Sequence, residues 1–208
     1  MSNTTVIIKT IGSPTLKAAI RSARREGFKV IVVSDGPKVS AQGATKLVRL
    51  GRSWGYYGGM AANVGAAMAE TEFITFLDDD DEFVIGAGKI IRAKLRANPS
   101  VDIWAAGVRF DRRIEVYDQD TGDTMHDSQD LCINGELGVV PGNVAMPTYR
   151  VSIFSKVPFT DTIAPDRKNL TDFYHIKACV SAGYKIDWFG SVIYLVRPSV
   201  GGVNGEGK

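Results

Sequence analysis

The run Phe73 to Phe83, FITFLDDDDEF, sets four consecutive aspartates directly after a wholly apolar, strand-like segment. A strand buried on both faces reads as a continuous apolar run, so the pattern predicts a core strand with carboxylates at its carboxyl end. In an open α/β sheet, ligands bind in the crevice outside that end. Adjacent carboxylates with ordinary pKa values near ~4 repel one another at neutral pH, and a bound divalent cation relieves the repulsion. Hard cations such as Mg²⁺ and Mn²⁺ take oxygen ligands, and Mg²⁺ commonly keeps substrate phosphates among them. A second reading is purely structural. Aspartates are favoured at helix N-termini, and a helix predicted from near Val84 to Ala97 would use one or two of them as caps.

The flanking sequence alternates strand and helix signals. Thr5 to Lys9 is a short β-branched run, and Ser13-Pro14 opens a helix with Leu16, Ala19, Ile20 and Ala23 on one face and Gly27 as its stop. Lys29 to Ser34 is an apolar strand ending in Asp35-Gly36-Pro37, and Lys46 to Leu50 is a further short strand. Tyr57 to Ala69 holds a small-residue helix, Lys89 to Ala97 an amphipathic one, and Val101 to Ala106 a strand. This half predicts a mostly parallel, helix-covered sheet.

In the second half, Val108 to Tyr117 and the polar turn after it predict an antiparallel hairpin. Tyr149 to Ser155 reads as a short helix, Pro158 to Asn169 as a mobile loop over the crevice, and Leu170 to Ala182 as a helix stopped by Gly183. Lys185 to Trp188 and Val192 to Val196 read as two closing strands, with residues 199–208 a disordered tail.

With 208 residues, 44% hydrophobic content and no repeats, one domain is expected. The 25 Lys and Arg against 23 Asp and Glu leave no basic footprint for nucleic acid. No apolar stretch approaches the roughly 20 residues of a membrane span, and the N-terminus lacks a signal-peptide pattern, which predicts a cytoplasmic protein. Cys132 and Cys179 are isolated, as are His126 and His175, so neither a zinc site nor a disulfide framework is indicated. The first strand-to-helix turn, Thr10 to Pro14, lacks G-x-G-x-x-G, and no P-loop or G-x-S-x-G elbow occurs.

The ordered series VIIKTIGSPTLKAAIRSA, VIVVSDGP and GGMAANVGAAMAETEFITFLDDDDEF resembles the inverting family 2 glycosyltransferases with the GT-A fold. The resemblance spans residues 5 to 85 and, less sharply, 141 to 197. It implies an α/β fold with a mostly parallel central sheet covered by helices and a small antiparallel addition. It divides the single domain into a nucleotide-sugar-binding half, about 5–106, and an acceptor-binding half, about 107–198. The implied partners are a nucleotide-diphospho-sugar donor and a carbohydrate or other hydroxyl acceptor, with Mn²⁺ or Mg²⁺ as cofactor.

By that resemblance, Asp35 matches the acid that accepts a hydrogen bond from the nucleobase imide, with a turn aspartate as the alternative. Asn63 matches the asparagine that bonds the nucleoside or pins a loop. Asp78 and Asp80 match the outer residues of the D-x-D motif, Asp80 as direct metal ligand and Asp78 on the ribose or a metal-bound water. Asp79 holds the variable position, and Asp81 orients the metal shell or caps the following helix. Asp172 matches the general base at the start of a late helix, with Asp161 and Asp166 as rivals. Ala62 stands where many relatives have a basic residue, a diphosphate contact for which Arg52 is the substitute candidate; Arg150 and Arg197 are weaker candidates for phosphate. A nucleotide-sugar-binding protein without activity and a sugar-phosphate nucleotidyltransferase are the alternative functions.

Overall fold

The computed structural model describes residues 3–55, 58–110, 129–133, 136–140, 147–160 and 171–196. Among the described residues ten strands and four α-helices follow one another. β1 (Thr4–Thr10), α1 (Leu16–Arg25), β2 (Lys29–Ser34), β3 (Lys46–Arg49), α2 (Gly59–Ala67) and β4 (Phe73–Asp78) form the first half. β5 (Glu82–Phe83), α3 (Ala87–Ala97), β6 (Ile103–Phe110), β7 (Gln129–Ile133) and β8 (Glu136–Val140) come next. β9 (Thr148–Arg150), a 3-10 helix (Val151–Ser155), α4 (Thr171–Ser181) and β10 (Ile186–Val196) complete it.

Eight strands make one mixed sheet in the order β3-β2-β1-β4-β9-β6-β10-β5. The pairs β3/β2, β2/β1, β1/β4 and β6/β10 are parallel. β9 runs antiparallel between β4 and β6, and β5 antiparallel against β10. β7 and β8 form a separate antiparallel pair. This is the expected α/β architecture of the GT-A fold.

Alternation along the buried strands builds two cores, one on each face. Val6 and Ile8 pack with Leu16, Ile20, Phe28, Val32 and Ile91 on the face covered by α1 and α3. Ile7 points the other way, with Val33, Ala61, Ala66, Phe76, Tyr149 and Ile176. Each such buried aliphatic side chain stabilises the fold by about 1.5–3 kcal/mol relative to an exposed one. The small residues of α2 let it lie close on β1: a Cβ at Gly65 would stand 2.4 Å from Ile7 Cγ2.

Three expectations are corrected. The aspartates do not cap α3, because a β-turn (Asp81 N–H to Asp78 C=O, 3.1 Å) and β5 intervene and the helix N-cap is Gly86. Its free N–H groups are met instead by Glu26 from the end of α1, whose Oε2 accepts from Gly86 and Gly88 at 3.1 Å each. Of Tyr149 to Ser155, read as a short helix, Val151–Ser155 forms one, a 3-10 helix, but Tyr149 and Arg150 join β9, where pairing with both neighbours and burial of Tyr149 outweigh local preference. Lys185 to Trp188 and Val192 to Val196 are not separate strands. One strand, β10, runs through, with irregular register between Trp188 and Val192 and between Val192 and Tyr194. The predicted hairpin over Val108 to Tyr117 lies largely outside the described residues, as do 161–170 and the tail; Val108 to Phe110 extend β6. Among the described residues no helix is long and apolar enough to cross a membrane.

Candidate active site

Three parallel strands deliver polar residues to one edge of the sheet. Lys9 of β1 stands in register with Asp78 of β4, and Thr10 with Ser34 of β2, next to Asp35. The carboxyl ends of β1, β2 and β4 therefore converge, as an open α/β sheet requires for a ligand crevice.

Within the acidic turn the four aspartates have different surroundings. Asp78 is half exposed and its Oδ1 pairs with Lys9 Nζ at 3.3 Å. Asp79, placed by the sequence at a passive position, instead anchors the β1–α1 loop. Its Oδ2 accepts from the Thr10 hydroxyl in a short hydrogen bond and from Ser13 N–H at 3.3 Å, while its carbonyl accepts from Thr15 Oγ1 at 2.8 Å. Partial burial raises its pKa above the ordinary carboxylate value, with the Asp78 charge adding to the rise. Asp80 is half-buried, and its pKa is raised by desolvation first and then by the charges of Asp78 and Asp79. Asp81 is buried, at 4% exposure.

Asp35 is 3% exposed, and both carboxylate oxygens are engaged. Oδ1 accepts from Trp54 N–H at 2.7 Å and Oδ2 from Gly55 N–H at 2.9 Å, which fastens the loop after β3 across the end of β2. Gly36, with φ +105°, lets that loop approach; a Cβ there would sit 3.2 Å from Ser53 Cβ. The exposed Arg52 guanidinium lies over the Trp54 ring, 3.8 Å from its centroid. Asp35 and Arg52 thus belong to one loop cluster.

Asn63 turns away from the acidic run. It exchanges two hydrogen bonds with the Phe159 backbone, Nδ2 donating to the carbonyl and Oδ1 accepting from the N–H, both at 2.9 Å. Of its two sequence readings, the loop-pinning one describes this contact. His175, on α4, holds the same segment from the other side through a 2.8 Å Nε2 contact with the Val157 carbonyl. Its ring stacks on Phe159, with centroids 4.0 Å apart, and burial lowers its pKa to about 4, so the imidazole is a neutral core group.

Asp172 is the second residue of α4, and its side chain lies outside the described residues together with Asp161, Asp166 and Arg197. Arg150 sits opposite Phe73 at the far, amino end of β4, paired with Glu72 and with Asp102 Oδ1 at 3.4 Å, so it is removed from the acidic turn.

Among the described residues no three His, Cys, Asp or Glu side chains gather as a ready cation cage. The donor set still suits Mg²⁺ or Mn²⁺. Such ions are commonly held by one or two carboxylates plus substrate phosphates, and a cation would relieve the repulsion that raises Asp80. Lys9 and Asp79 were not singled out as site residues by sequence reasoning. A usable signal existed in the lysine next to last in the otherwise uncharged segment TTVIIKT.

Residues 5–157 match the family model for glycosyl transferase family 2. The chain belongs to glycosyl transferase family 2. Solved structures carry the fold likeness across nearly the whole of this family 2 chain. TarS 1-349 of S. aureus in complex with UDP-GlcNAc is 16% identical, with a TM-score of 0.66 over 96% of this chain and 59% of that one. The mannosyltransferase PcManGT of Pyrobaculum calidifontis, in complex with GDP-Man and Mn2+, is 15% identical, with a TM-score of 0.66 over 96% and 58% respectively. The chain thus spans a little under two thirds of the length of these structures. Among curated proteins no sequence matches it.

Proposed function

We propose that this chain is a cytoplasmic, metal-dependent, inverting glycosyltransferase that moves a sugar from a nucleotide-diphospho-sugar to a carbohydrate or other hydroxyl acceptor, with residues 1–208 working as one domain. The observation that carries the reading is the pair Asp78 and Asp80, presented where the carboxyl ends of β1, β2 and β4 meet. The UDP-GlcNAc complex of TarS and the GDP-Man and Mn2+ complex of PcManGT support it as structures of the same fold.

In this reading Asp80 and Asp78 hold Mn²⁺ or Mg²⁺ together with the donor phosphates, and Asp81 steadies the turn from its buried position. The cation, when bound, supplies charge stabilisation to the departing nucleoside diphosphate. Asp35 takes the nucleobase imide on a lone pair left over from its two loop bonds, since each carboxylate oxygen carries two. Arg52 reaches from Trp54 to the donor, and Asn63 keeps the Val157–Thr160 segment in place. Asp172 accepts the acceptor hydroxyl proton as that oxygen bonds the anomeric carbon and the carbon–oxygen bond to the diphosphate breaks.

Titration with a panel of nucleoside diphosphates, with and without Mn²⁺, tests the reading at its base. Metal-dependent binding lost in Asp80→Ala is the expected result; no nucleotide binding removes the proposal. Product analysis across a donor panel then separates a transferase from a binding protein or a nucleotidyltransferase. Asp172→Asn should retain donor binding and lose turnover.

A further inference from the structure

Lys9 is the charged residue of a strand that is otherwise uncharged, and three features fix where its ammonium goes. Its Cα is in parallel register with Asp78, so side chains of the same facing meet at the sheet end. Its aliphatic stem runs past Gly58, where an added Cβ would stand 2.9 Å from Lys9 Cδ. Gly58 has φ +79°, a backbone conformation that also favours glycine, so the start of α2 leaves a slot for the stem. The ammonium then reaches Asp78 Oδ1 at 3.3 Å, with the side chain 15% exposed.

The charge balance at this point is uneven. Two carboxylates, Asp78 and Asp80, offset one divalent cation, which leaves the doubly charged diphosphate of a nucleotide sugar to be balanced by basic side chains. α2, whose N-cap Gly58 meets the Lys9 stem, has the sequence GMAANVGAA and offers no basic residue. The Arg52 guanidinium, which reaches the donor from its place over the Trp54 ring, supplies one positive charge where the diphosphate carries two. Lys9 is held by packing along its stem, so little rotamer freedom is lost on meeting an anion.

We propose that Lys9 is a donor-positioning residue: on donor binding its ammonium passes from Asp78 to the diphosphate of the nucleotide-diphospho-sugar, which frees Asp78 for the divalent cation. This rests on the glycosyltransferase reading above. No covalent bond changes in the step; one ion pair is exchanged for another. Metal and donor then favour one another, because each takes one partner of the resting Lys9–Asp78 pair, and such coupling is reciprocal.

The test compares wild type, Lys9→Met and Asp78→Asn by calorimetry, using the nucleoside diphosphate the wild type binds best and the corresponding free nucleoside, each with and without Mn²⁺. Lys9→Met keeps an apolar stem and removes the charge. It should weaken diphosphate binding by roughly tenfold or more, as expected for a lost charge-assisted contact, while nucleoside binding and melting temperature stay at wild-type values. Asp78→Asn, measured without metal, releases Lys9 from its resting partner and should bind the nucleoside diphosphate more tightly than wild type. Unchanged diphosphate affinity in Lys9→Met, or equal losses for diphosphate and nucleoside, overturns the role of Lys9 and leaves the transferase reading standing. A fall in metal-free affinity in Asp78→Asn does the same. A wild-type chain that binds no nucleoside diphosphate under either condition overturns both.

Discussion

Asn63 and Phe159, 96 residues apart, bind each other as two peptide groups would, each giving one hydrogen bond and accepting one at 2.9 Å. The Val157–Thr160 segment, which leads toward Asp161 and Asp166, is thereby tied to α2. Asn63→Leu removes both bonds and leaves the Phe159 N–H and carbonyl without their protein partners. It should destabilise the chain by about 1–3 kcal/mol, read as a lower urea midpoint. Hydrogen exchange should speed up first at Val157 to Thr160, ahead of the β1 and β4 amides.

His175 makes stability depend on pH. Its folded pKa of about 4 lies below the ordinary histidine value of 6.5, because burial disfavours the charged ring. The unfolded chain therefore binds the extra proton between those values. The stabilisation is fully present above pH 6.5, falls as pH drops through that window, and is lost at about pH 4. The loss from this group amounts to roughly 3 kcal/mol. Denaturant titrations at pH 7, 5.5 and 4 should show the decline, and His175→Phe should flatten it.

Asp80 presents the opposite sign. Its pKa is raised in the folded state by desolvation and by Asp78 and Asp79, so folding binds protons here and ionised Asp80 works against stability as pH rises above the unfolded value. Asp80→Asn should raise the melting temperature of the metal-free chain at neutral pH and abolish metal-dependent nucleotide binding. Stability and function would be traded at one residue. In wild type, metal-dependent binding should fail on acidification at a higher pH than an ordinary aspartate would give.

Gly65 lies on the face of α2 that meets β1. Adding a methyl group would bring it to 2.4 Å from Ile7 Cγ2, and both partners are in the core, so the helix itself must shift. Gly65→Ala should cost about 1–3 kcal/mol despite the better helix propensity of alanine. Thermal unfolding measures this directly; an unchanged or higher melting temperature would show that α2 moves off the sheet freely.

Cys179 is buried beside His175, and its thiol pKa is pushed up to about 12. Iodoacetamide at pH 8, followed by peptide mass mapping, should leave Cys179 unmodified in the native chain and alkylate it in urea.

The sequence by itself determined the parts whose cause is local. β2 occupies Lys29–Ser34 as the apolar run indicates, β1 exceeds its predicted span by one residue at each end, and β4 runs one residue past Leu77. The placement of the acidic run at a strand end followed from the same pattern, because a buried parallel strand must be continuously apolar and must stop where charge begins. Side-chain partners were decided only by tertiary structure. Asp35 carries nothing in its neighbourhood to announce that it fastens Trp54 and Gly55, nor Asn63 that it turns to Phe159, nor Glu26 that it caps α3. Tyr149 likewise became strand through pairing with β4 and β6. Each of these outcomes depends on groups dozens of residues away, brought within hydrogen-bond reach by the burial of the two cores, and a hydrogen bond is chosen among whatever neighbours packing supplies.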